Sequence, residues 1–587
     1  MKFSNSTRRI LPQVLCSLGI AALQSCGLTE PSDSALKENT PPDTRITSGP
    51  KASSTYSYSV RIAWVGVDND GIIKGYNLTV DGNSIFVTGT DSTFAFNAAN
   101  QDEQHSISVA AVDDRDAVDP TPATLTFTAT NSPPNTILSI AGNPAPGATF
   151  GRGAIFTMQG EDIDNGLAFS YRYNLDGGAW SDWLSSGVIA FSQDSPFGLL
   201  PEGQHIFNAQ VRDAALAVDE TPTSFPLVVS AAVKPEVVLN AQQNNRPFFE
   251  DNSAFSYASG NTVQLSWSPL FNYAGGASTG SRYRIDGGAW TDYSTVVSTL
   301  ELTDVAPGSH TFEVQYRDLG GVEGDISNFE YEIVVPAFNS GVLVVDDGNG
   351  QFAGRPPATG DANVKAFYNQ ILTAVGAPYQ IWDILTQGNP TPKTGMGEFS
   401  TVLWVSDEAN LTTLPRQVQL ITEYLSLSGN FWLVGWRGIN LLAGTTPVPS
   451  FDPAQPTPPT NADFIWNFLK IASTEQTSGA ALDFSGAAGL SGHPNLNLVV
   501  ARNPIPNRPG LSPIDAFTVR ANVVGAEPIY TFVSPNGTSS FQGKVVGMKY
   551  LGNDFKVAVF GFPFYHMSDT EAIEAARKLL RDFGEIQ

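Results

Sequence analysis

A set of landmarks that recurs three times in the same order limits how this chain can fold. Asn39-Thr-Pro-Pro-Asp-Thr44 returns 92 residues later as Asn131-Ser-Pro-Pro-Asn-Thr136, and Lys234-Pro235-Glu236-Val237-Val238 opens a third unit. Inside the units, Tyr76-Asn-Leu-Thr-Val-Asp81-Gly82, Tyr173-Asn-Leu-Asp176-Gly-Gly-Ala-Trp180 and Tyr283-Arg-Ile-Asp286-Gly-Gly-Ala-Trp290 are alternating stretches that end in Asp-Gly, a strong hairpin signal. His105, His205 and His310 then begin further alternating stretches, each followed eight residues later by an aspartate: Asp113, Asp213 and Asp318. Internal repeats of this length mean repeated folding units, and 587 residues exceed what a single core supports.

Each unit has short alternating strands with turn signals every 8 to 12 residues, which predicts an antiparallel β-sandwich. The expected modules span 41–131, 132–232 and 233–338. Trp64 and Trp267 sit in the early strand of units one and three and Met158 takes that place in unit two, so they are expected to anchor the cores. The Asp-Gly hairpin and the histidine that starts the next long strand resemble bacterial immunoglobulin-like or fibronectin type III-like domains. The chain has two cysteines, Cys16 and Cys26, both ahead of the modules, so the sheets must hold together by packing and hydrogen bonds.

From Gly341 the period changes. Val342-Leu-Val-Val-Asp346-Asp347 is an apolar run ending in carboxylates, as expected of a strand buried on both faces. Val364, Phe367, Tyr368, Ile371, Leu372 and Val375 then follow helical spacing over 361–375, and Gly376 stops the helix. Strands are expected at 379–383, 401–405, 431–434 and 556–560, a helix at 414–427, and a final helix opened by a capping box, Ser568-Asp-Thr-Glu571. Strand–helix alternation predicts an α/β domain over 339–587 with a mainly parallel sheet and a loop-rich insertion near 444–530. The chain as a whole is thus expected to be multidomain, three all-β sandwiches followed by an α/β domain.

The strands that begin at Val342, Thr401 and Phe431, with Gly561-Phe-Pro-Phe-Tyr565, resemble the class I glutamine amidotransferase-like, flavodoxin-like fold. In that family a cysteine nucleophile stands between glycines after the strand that 431–434 resembles. Here the turn is Gly435-Trp436-Arg437-Gly438, so the resemblance implies the fold without the family's chemistry. No Gly-x-Ser-x-Gly elbow is present, and no catalytic residue is assigned. His566 and His493 are the two bases outside the repeated set, and His566, after a strand end, is the one catalytic candidate.

Residues 1–25 read as a cleaved secretion signal, with Lys2, Arg8 and Arg9 ahead of an apolar stretch. Leu23-Gln-Ser-Cys26-Gly27 resembles a bacterial lipobox, which implies acylation of Cys26 and tethering to a membrane; Gly27 implies the outer membrane. An ordinary signal with an incidental cysteine is the alternative. Residues 26–40 are polar and Pro-containing, the composition of a flexible tether. The net charge of −25 becomes −28 once residues 1–25 are removed, and it repels phosphate backbones, so nucleic acid is excluded as a partner.

Further binding candidates follow from residue chemistry. Asp68 and Asp70, and Asp162 and Asp164, cluster the oxygen ligands that calcium uses, although Asx turns account for both loops; no other cofactor is implied. Trp180 and Trp290 suit the faces of sugar rings, and cross-strand packing explains them equally. Asp346, Asp347, Asp407, Glu408 and Arg437 are expected around the crevice beyond the strand ends, where a polar ligand binds in such folds; helix caps are the competing role. Three readings follow: a lipid-anchored envelope protein whose stalk presents a non-catalytic head to a glycan or protein ligand; an extracellular hydrolase using carboxylates or His566; and a structural part of a secretion or adhesion assembly.

Overall fold

The computed structural model describes residues 38–96, 102–163, 168–258, 260–348, 357–406, 412–503, 508–535 and 537–587. The signal segment, Cys26, most of the tether, Asp164, Asp407 and Glu408 lie outside them. By contacts the chain divides into two compact units, residues 1–138, 158–187 and 208–224, and residues 139–157, 188–207 and 225–587. No helix among the described residues is long and apolar enough to cross a membrane.

Three β-sandwiches come first. The first sets strands Asp43–Ser48, Ser59–Val67 and Asp91–Ala95 opposite a sheet ordered Thr55–Ser57, Ala123–Thr130, Glu103–Asp113, Ile73–Val80, Asn83–Val87. The second and third repeat one detail of this plan. A two- or three-residue edge strand, Thr149–Phe150 or Ser253–Phe255, pairs in parallel with the last strand, as Thr55–Ser57 does in the first. Alternation drives side chains inward: Val60, Ile62 and Trp64 are buried on one strand and Ile107, Val109 and Ala111 on the facing sheet. Met158 is buried beside Phe156, which stacks on Phe207 with centroids 4.1 Å apart. Trp267 is buried and donates its Nε1–H to Ser281 Oγ at 2.8 Å.

The repeated landmarks turn out to be latches. Asp113 Oδ1 accepts from the backbone N of Arg115 and Ala117 at 2.9 and 2.8 Å, Asp213 accepts from Ala217 N at 2.8 Å, and Asp318 accepts from Val322 N at 2.8 Å. Each thereby closes the turn that ends its long strand. Asn39 Nδ2 donates to Asp113 at 2.6 Å and Asn131 Nδ2 to Asp213 at 2.5 Å, so the first residue of the Asn-x-Pro-Pro motif fastens each entry segment to that turn. The motif's threonine acts next: Thr44 Oγ1 accepts from Ala111 N at 2.7 Å and Thr136 Oγ1 from Val211 N at 3.0 Å. In the third module Tyr273 OH donates to Asp318 at 2.8 Å in place of an asparagine. The Asp-Gly hairpins are tied similarly, with Asp81 Oδ2 2.7 Å from His105 Nδ1 and Asp286 Oδ2 2.9 Å from His310 Nδ1. The repeated histidines in modules one and three thus hold hairpins.

In the C-terminal domain, or head, strands Tyr379–Asp383, Val342–Asp346, Thr401–Ser406, Asn430–Gly435 and Lys556–Phe560 lie side by side and parallel. Numbering only these five parallel strands along the chain, the order is 2-1-3-4-5. Val342 and Val344 pack on one face and Leu343 and Val345 on the other, which is why the run is apolar without alternation. Helices α1 (Pro357–Val375) and, at the chain's end, α6 (Asp569–Phe583) cover the first face. Helix α2 (Ile384–Gln387) is a single turn, while α3 (Val418–Ser426), α4 (Gly438–Ala443) and α5 (Ala462–Asn467) cover the second face.

The sheet departs from the expectation of a mainly parallel one. Beyond Lys556–Phe560 it continues antiparallel through Val545–Leu551, Ala526–Val533, Gly486–Gly489 and Leu496–Asn497, giving nine strands of mixed direction. The stretch expected to be loop-rich supplies two of these strands and a separate ribbon, Ile471–Gln476 with Asp515–Val519. A chain that leaves the parallel layer without a crossover helix returns by hairpins, and hairpins are antiparallel. The capping box is also absent: Ser568 is the N-cap but makes no side-chain cap, and Glu571 instead accepts from Asn497 N and Nδ2 at 2.6 Å each.

The third module and the head share one unit. Phe255 enters the head's core, Arg246 Nη1 lies 3.0 Å from Glu423 Oε1, Thr391 Oγ1 donates to Asp251 at 2.5 Å, and Lys393 Nζ is 2.6 Å from Glu332.

A second pair of buried carboxyls, Asp119 and Asp219, which accept from the backbone N of Thr121 and Thr221 at 2.7 Å each, sets a pH dependence. Burial opposes the ionisation of Asp119 and Asp219, but hydrogen bonds from Thr44 and Thr121, and from Thr136 and Thr221, outweigh it and hold both below the ordinary 3.8. A group that titrates lower in the folded state contributes stability above its unfolded value and loses it as pH falls through the folded one. Protection of the amides over 203–229 against exchange, taken relative to their intrinsic rates at each pH, is therefore expected to fall as pH drops below about 4. Asp219→Asn should lower that protection already at pH 7 and flatten the further acid-induced change.

Candidate functional site

The strand order reverses between Val342–Asp346 and Thr401–Ser406, and the carboxyl ends of these strands are the place where the sequence put the candidate carboxylates. Asp346 stands at that end opposite Asp383, its partner in register on the outer strand. Lys365 of helix α1 reaches both carboxylates, 2.7 Å from Asp383 Oδ2 and 3.8 Å from Asp346 Oδ2. Asp383 is held below the ordinary carboxylate range because hydrogen bonds led by Lys365 outweigh its burial. Asp346 is thus part of a +1/−2 cluster at the rim.

Asp347, one residue on, is used differently. Its carboxylate accepts from Trp404 Nε1 at 2.9 Å, from the backbone N of Thr413 and Leu414 at 2.9 and 3.1 Å, and from the Thr412 hydroxyl. It is 5% exposed, so it caps the segment entering the short 3₁₀ turn Leu414–Arg416 and leaves no oxygen for a ligand.

The turn after Asn430–Gly435 has the shape of a strand–elbow–helix. Gly435 adopts φ +149°, and a Cβ there would lie 2.0 Å from Ser406 O, so only glycine fits. Trp436 N donates to Ser406 O at 2.8 Å. Arg437 follows in the left-handed conformation (φ 54°, ψ 20°) as the N-cap of α4. Beneath it lies a residue that sequence reasoning missed. Asp515, fully buried, accepts from Ile439 N at 3.1 Å, Asn440 Nδ2 at 2.5 Å and Gln476 Nε2 at 2.9 Å. Burial raises its pKa against those hydrogen bonds. No local pattern marks Asp515, because its role depends on an insertion folding back under α4.

His566, on the short turn Phe564–His566, is 1% exposed, and its ring meets Trp436 edge to face with centroids 5.8 Å apart. Arg502, also missed, holds this turn by donating to Tyr565 O and Met567 O at 3.0 Å each while pairing with Asp569. The fold therefore brings Trp436 and His566 together beside the elbow and sets Asp346 two strands away. The elbow itself carries an indole and a guanidinium, neither of which is a nucleophile.

The remaining candidates lie in the modules. Asp68 Oδ1 accepts from Asp70 N at 3.1 Å, and Asp70 accepts from Thr40 N at 3.2 Å and faces Arg115 at 3.7 Å. Among the described residues no group of three or more His, Cys, Asp or Glu side chains is arranged to hold a metal ion. Trp180 and Trp290 belong to ring–guanidinium ladders. Arg172 lies 4.8 Å from the Trp180 ring and 4.4 Å from the Trp183 ring, with Arg212 4.5 Å from Trp183. Arg282 and Arg284 lie 5.0 and 4.7 Å from Trp290. Each indole thus has at least one face stacked by a guanidinium.

No protein-family model matches the sequence, and no curated protein matches it. Among solved structures the chain is similar to fibronectin(III)-like modules of Clostridium thermocellum CbhA, at 14% identity over 32% of this chain and 94% of that one, TM-score 0.15. It is similar to the FN1–FN3 domains of chicken CNTN1 at 12% identity, covering 50% and 99%, TM-score 0.22. It is also similar to a polyextremophilic beta-galactosidase from the Antarctic haloarchaeon Halorubrum lacusprofundi at 15% identity, covering 43% and 31%, TM-score 0.26. With TM-scores this low, the description of a multidomain, mostly β chain rests on the strand pairing given above.

Asp347→Ala would orphan Trp404 Nε1 and two backbone N–H groups, at roughly 1 to 3 kcal/mol each. The expected outcome is a loss of about 3 kcal/mol or more in the urea-unfolding transition of the head, followed by tryptophan emission.

Proposed function

We propose that the chain is a lipid-anchored cell-envelope protein, held at the outer membrane through an acylated Cys26, whose sandwiches carry a non-catalytic, amidotransferase-like α/β head that binds a glycan or protein ligand. The elbow carries this reading. The 2-1-3-4-5 strand order and the glycine-dependent turn at 435 match what the resemblance implies for the place of a nucleophile, and Trp436 and Arg437 occupy it. The guanidinium of Arg437, with Asp346 two strands away, suits recognition of charged or hydroxylated groups through charge-assisted hydrogen bonds. Each module is folded by its own latches and core, and the third is fastened to the head through Phe255 and Arg246–Glu423. The anchor is supported by the residues from Leu23 to Gly27 and the basic, then apolar, segment before them.

Two measurements test the reading. Cells expressing the full chain and fed an alkyne-tagged palmitate are expected to label it, and Cys26→Ser should abolish both the label and recovery in the membrane fraction. The full chain is expected to show no turnover of ester, peptide or glycoside substrates above background. Turnover that His566→Ala abolishes would instead make it a hydrolase, and a stoichiometric cross-linked envelope partner would make it part of an assembly.

A further inference from the structure

The most telling feature outside the crevice is a cleft of about 500 Å³ between helix α6 and the turn at 490–494, lined by His493, Glu574, Arg577, Lys578, Arg581 and Asp582. That volume falls in the range of small-molecule sites. Arg577, Lys578 and Arg581 stand at i, i+1 and i+4 on α6, so their side chains gather on one side of the helix.

Two carboxylates share the cleft, and both are engaged. Glu574 pairs with Arg577, and Asp582 Oδ2 lies 2.7 Å from Lys549 Nζ. Arg577 also donates to Ala374 O at 3.2 Å, and Arg581 Nε donates to Gln587 O at 3.0 Å. Lys578 makes no hydrogen bond or ion pair among the described residues. A chain with net charge −25 thus gathers cations here and leaves one unspent.

At the floor lies His493, 7% exposed, with neither ring nitrogen hydrogen-bonded. Its ring packs edge to face on Tyr530, centroids 5.7 Å apart. Burial, with Lys549 and Lys578 nearby, pushes its pKa down to about 4, so the ring is neutral at pH 7 and offers one N–H donor and one acceptor. Buried polar groups in folded proteins have partners, and an imidazole without one, beside an unpaired ammonium, is the arrangement of a site whose ligand supplies the missing bonds.

We propose that this cleft binds the oxyanion of a small hydroxylated molecule, a carboxylate or a phosphate monoester, with Lys578 and Arg581 facing the charge and His493 hydrogen-bonding the same ligand. The proposal goes beyond the crevice reading and does not depend on the lipid anchor.

Calorimetric titration of the full chain with glucuronate, glucose 6-phosphate and glucose tests it. Saturable binding of one or both anions, weakened by added salt, with glucose inert, is the expected result; the arm that binds tells carboxylate from phosphate. Lys578→Ala and His493→Phe should each weaken binding on the order of tenfold, the loss of one charge-assisted or buried hydrogen bond. Lys578→Ala removes no hydrogen bond or ion pair, so it remains informative if His493→Phe unfolds. The proposal is overturned if neither anion saturates at millimolar concentration, if glucose binds equally, or if a folded Lys578→Ala variant binds as tightly as the parent.

Discussion

The structure depends on buried carboxylates that accept backbone N–H groups. The three sandwiches contain no cysteine, so no covalent bond joins one sheet to the other. Asp113, Asp213 and Asp318 take over part of that task, each closing a turn at the end of a long strand. Burying a carboxylate is costly unless it is fully hydrogen-bonded. Satisfying it with backbone donors that a turn would otherwise leave unpaired removes two penalties together, and Asn39 or Asn131 adds a side-chain donor from the entry segment. The module start and the strand-end turn therefore form together, which is a physical reason for landmarks some 80 residues apart to recur in phase.

The same device explains which acidic residues are available for binding. Asp347 looked like a crevice ligand because it ends an apolar strand, and Asp515 looked like nothing at all. Both are buried acceptors for the starts of short helical segments. Residue type and position cannot separate a ligand from a cap, because each needs an oxygen near unpaired N–H groups or cations; only the count of donors already satisfied does so. By that count Asp347 is filled, and Asp346 too has partners, accepting from Gly348 N at 3.2 Å and facing Lys365 at 3.8 Å.

Legibility followed the strength of local patterns. The alternating strands and Asp-Gly hairpins could be read directly because a half-buried strand writes its faces into every second residue, and 342–346 could be read because both faces are covered. The second half of the head's sheet could not. Gly486-Ala-Ala-Gly489 has neither β-branched residues nor alternation, and it is a strand because Ala526–Val533 pairs with it. Ser568 and Glu571 have the spacing of a capping box, yet Glu571 finds Asn497, a partner that only tertiary folding delivers. The cleft at His493 was invisible for the same reason, since its cations lie on α6 and its imidazole on a turn more than 80 residues earlier.

The elbow shows how far a fold constrains chemistry. A left-handed Arg437 costs roughly 1 to 2 kcal/mol, and the Gly435 beside it admits no side chain. The turn persists because Asp515 holds the amides of α4 from below and Trp436 is pinned to Ser406 above. Those supports orient whatever side chain sits at 436 or 437, and they are indifferent to its reactivity. At 436 and 437 stand an indole, packed on His566, and a guanidinium, neither of which is a nucleophile. The turn's supports are therefore independent of the reactivity of the side chain they hold, and a fold of this kind does not by itself assign a chemistry.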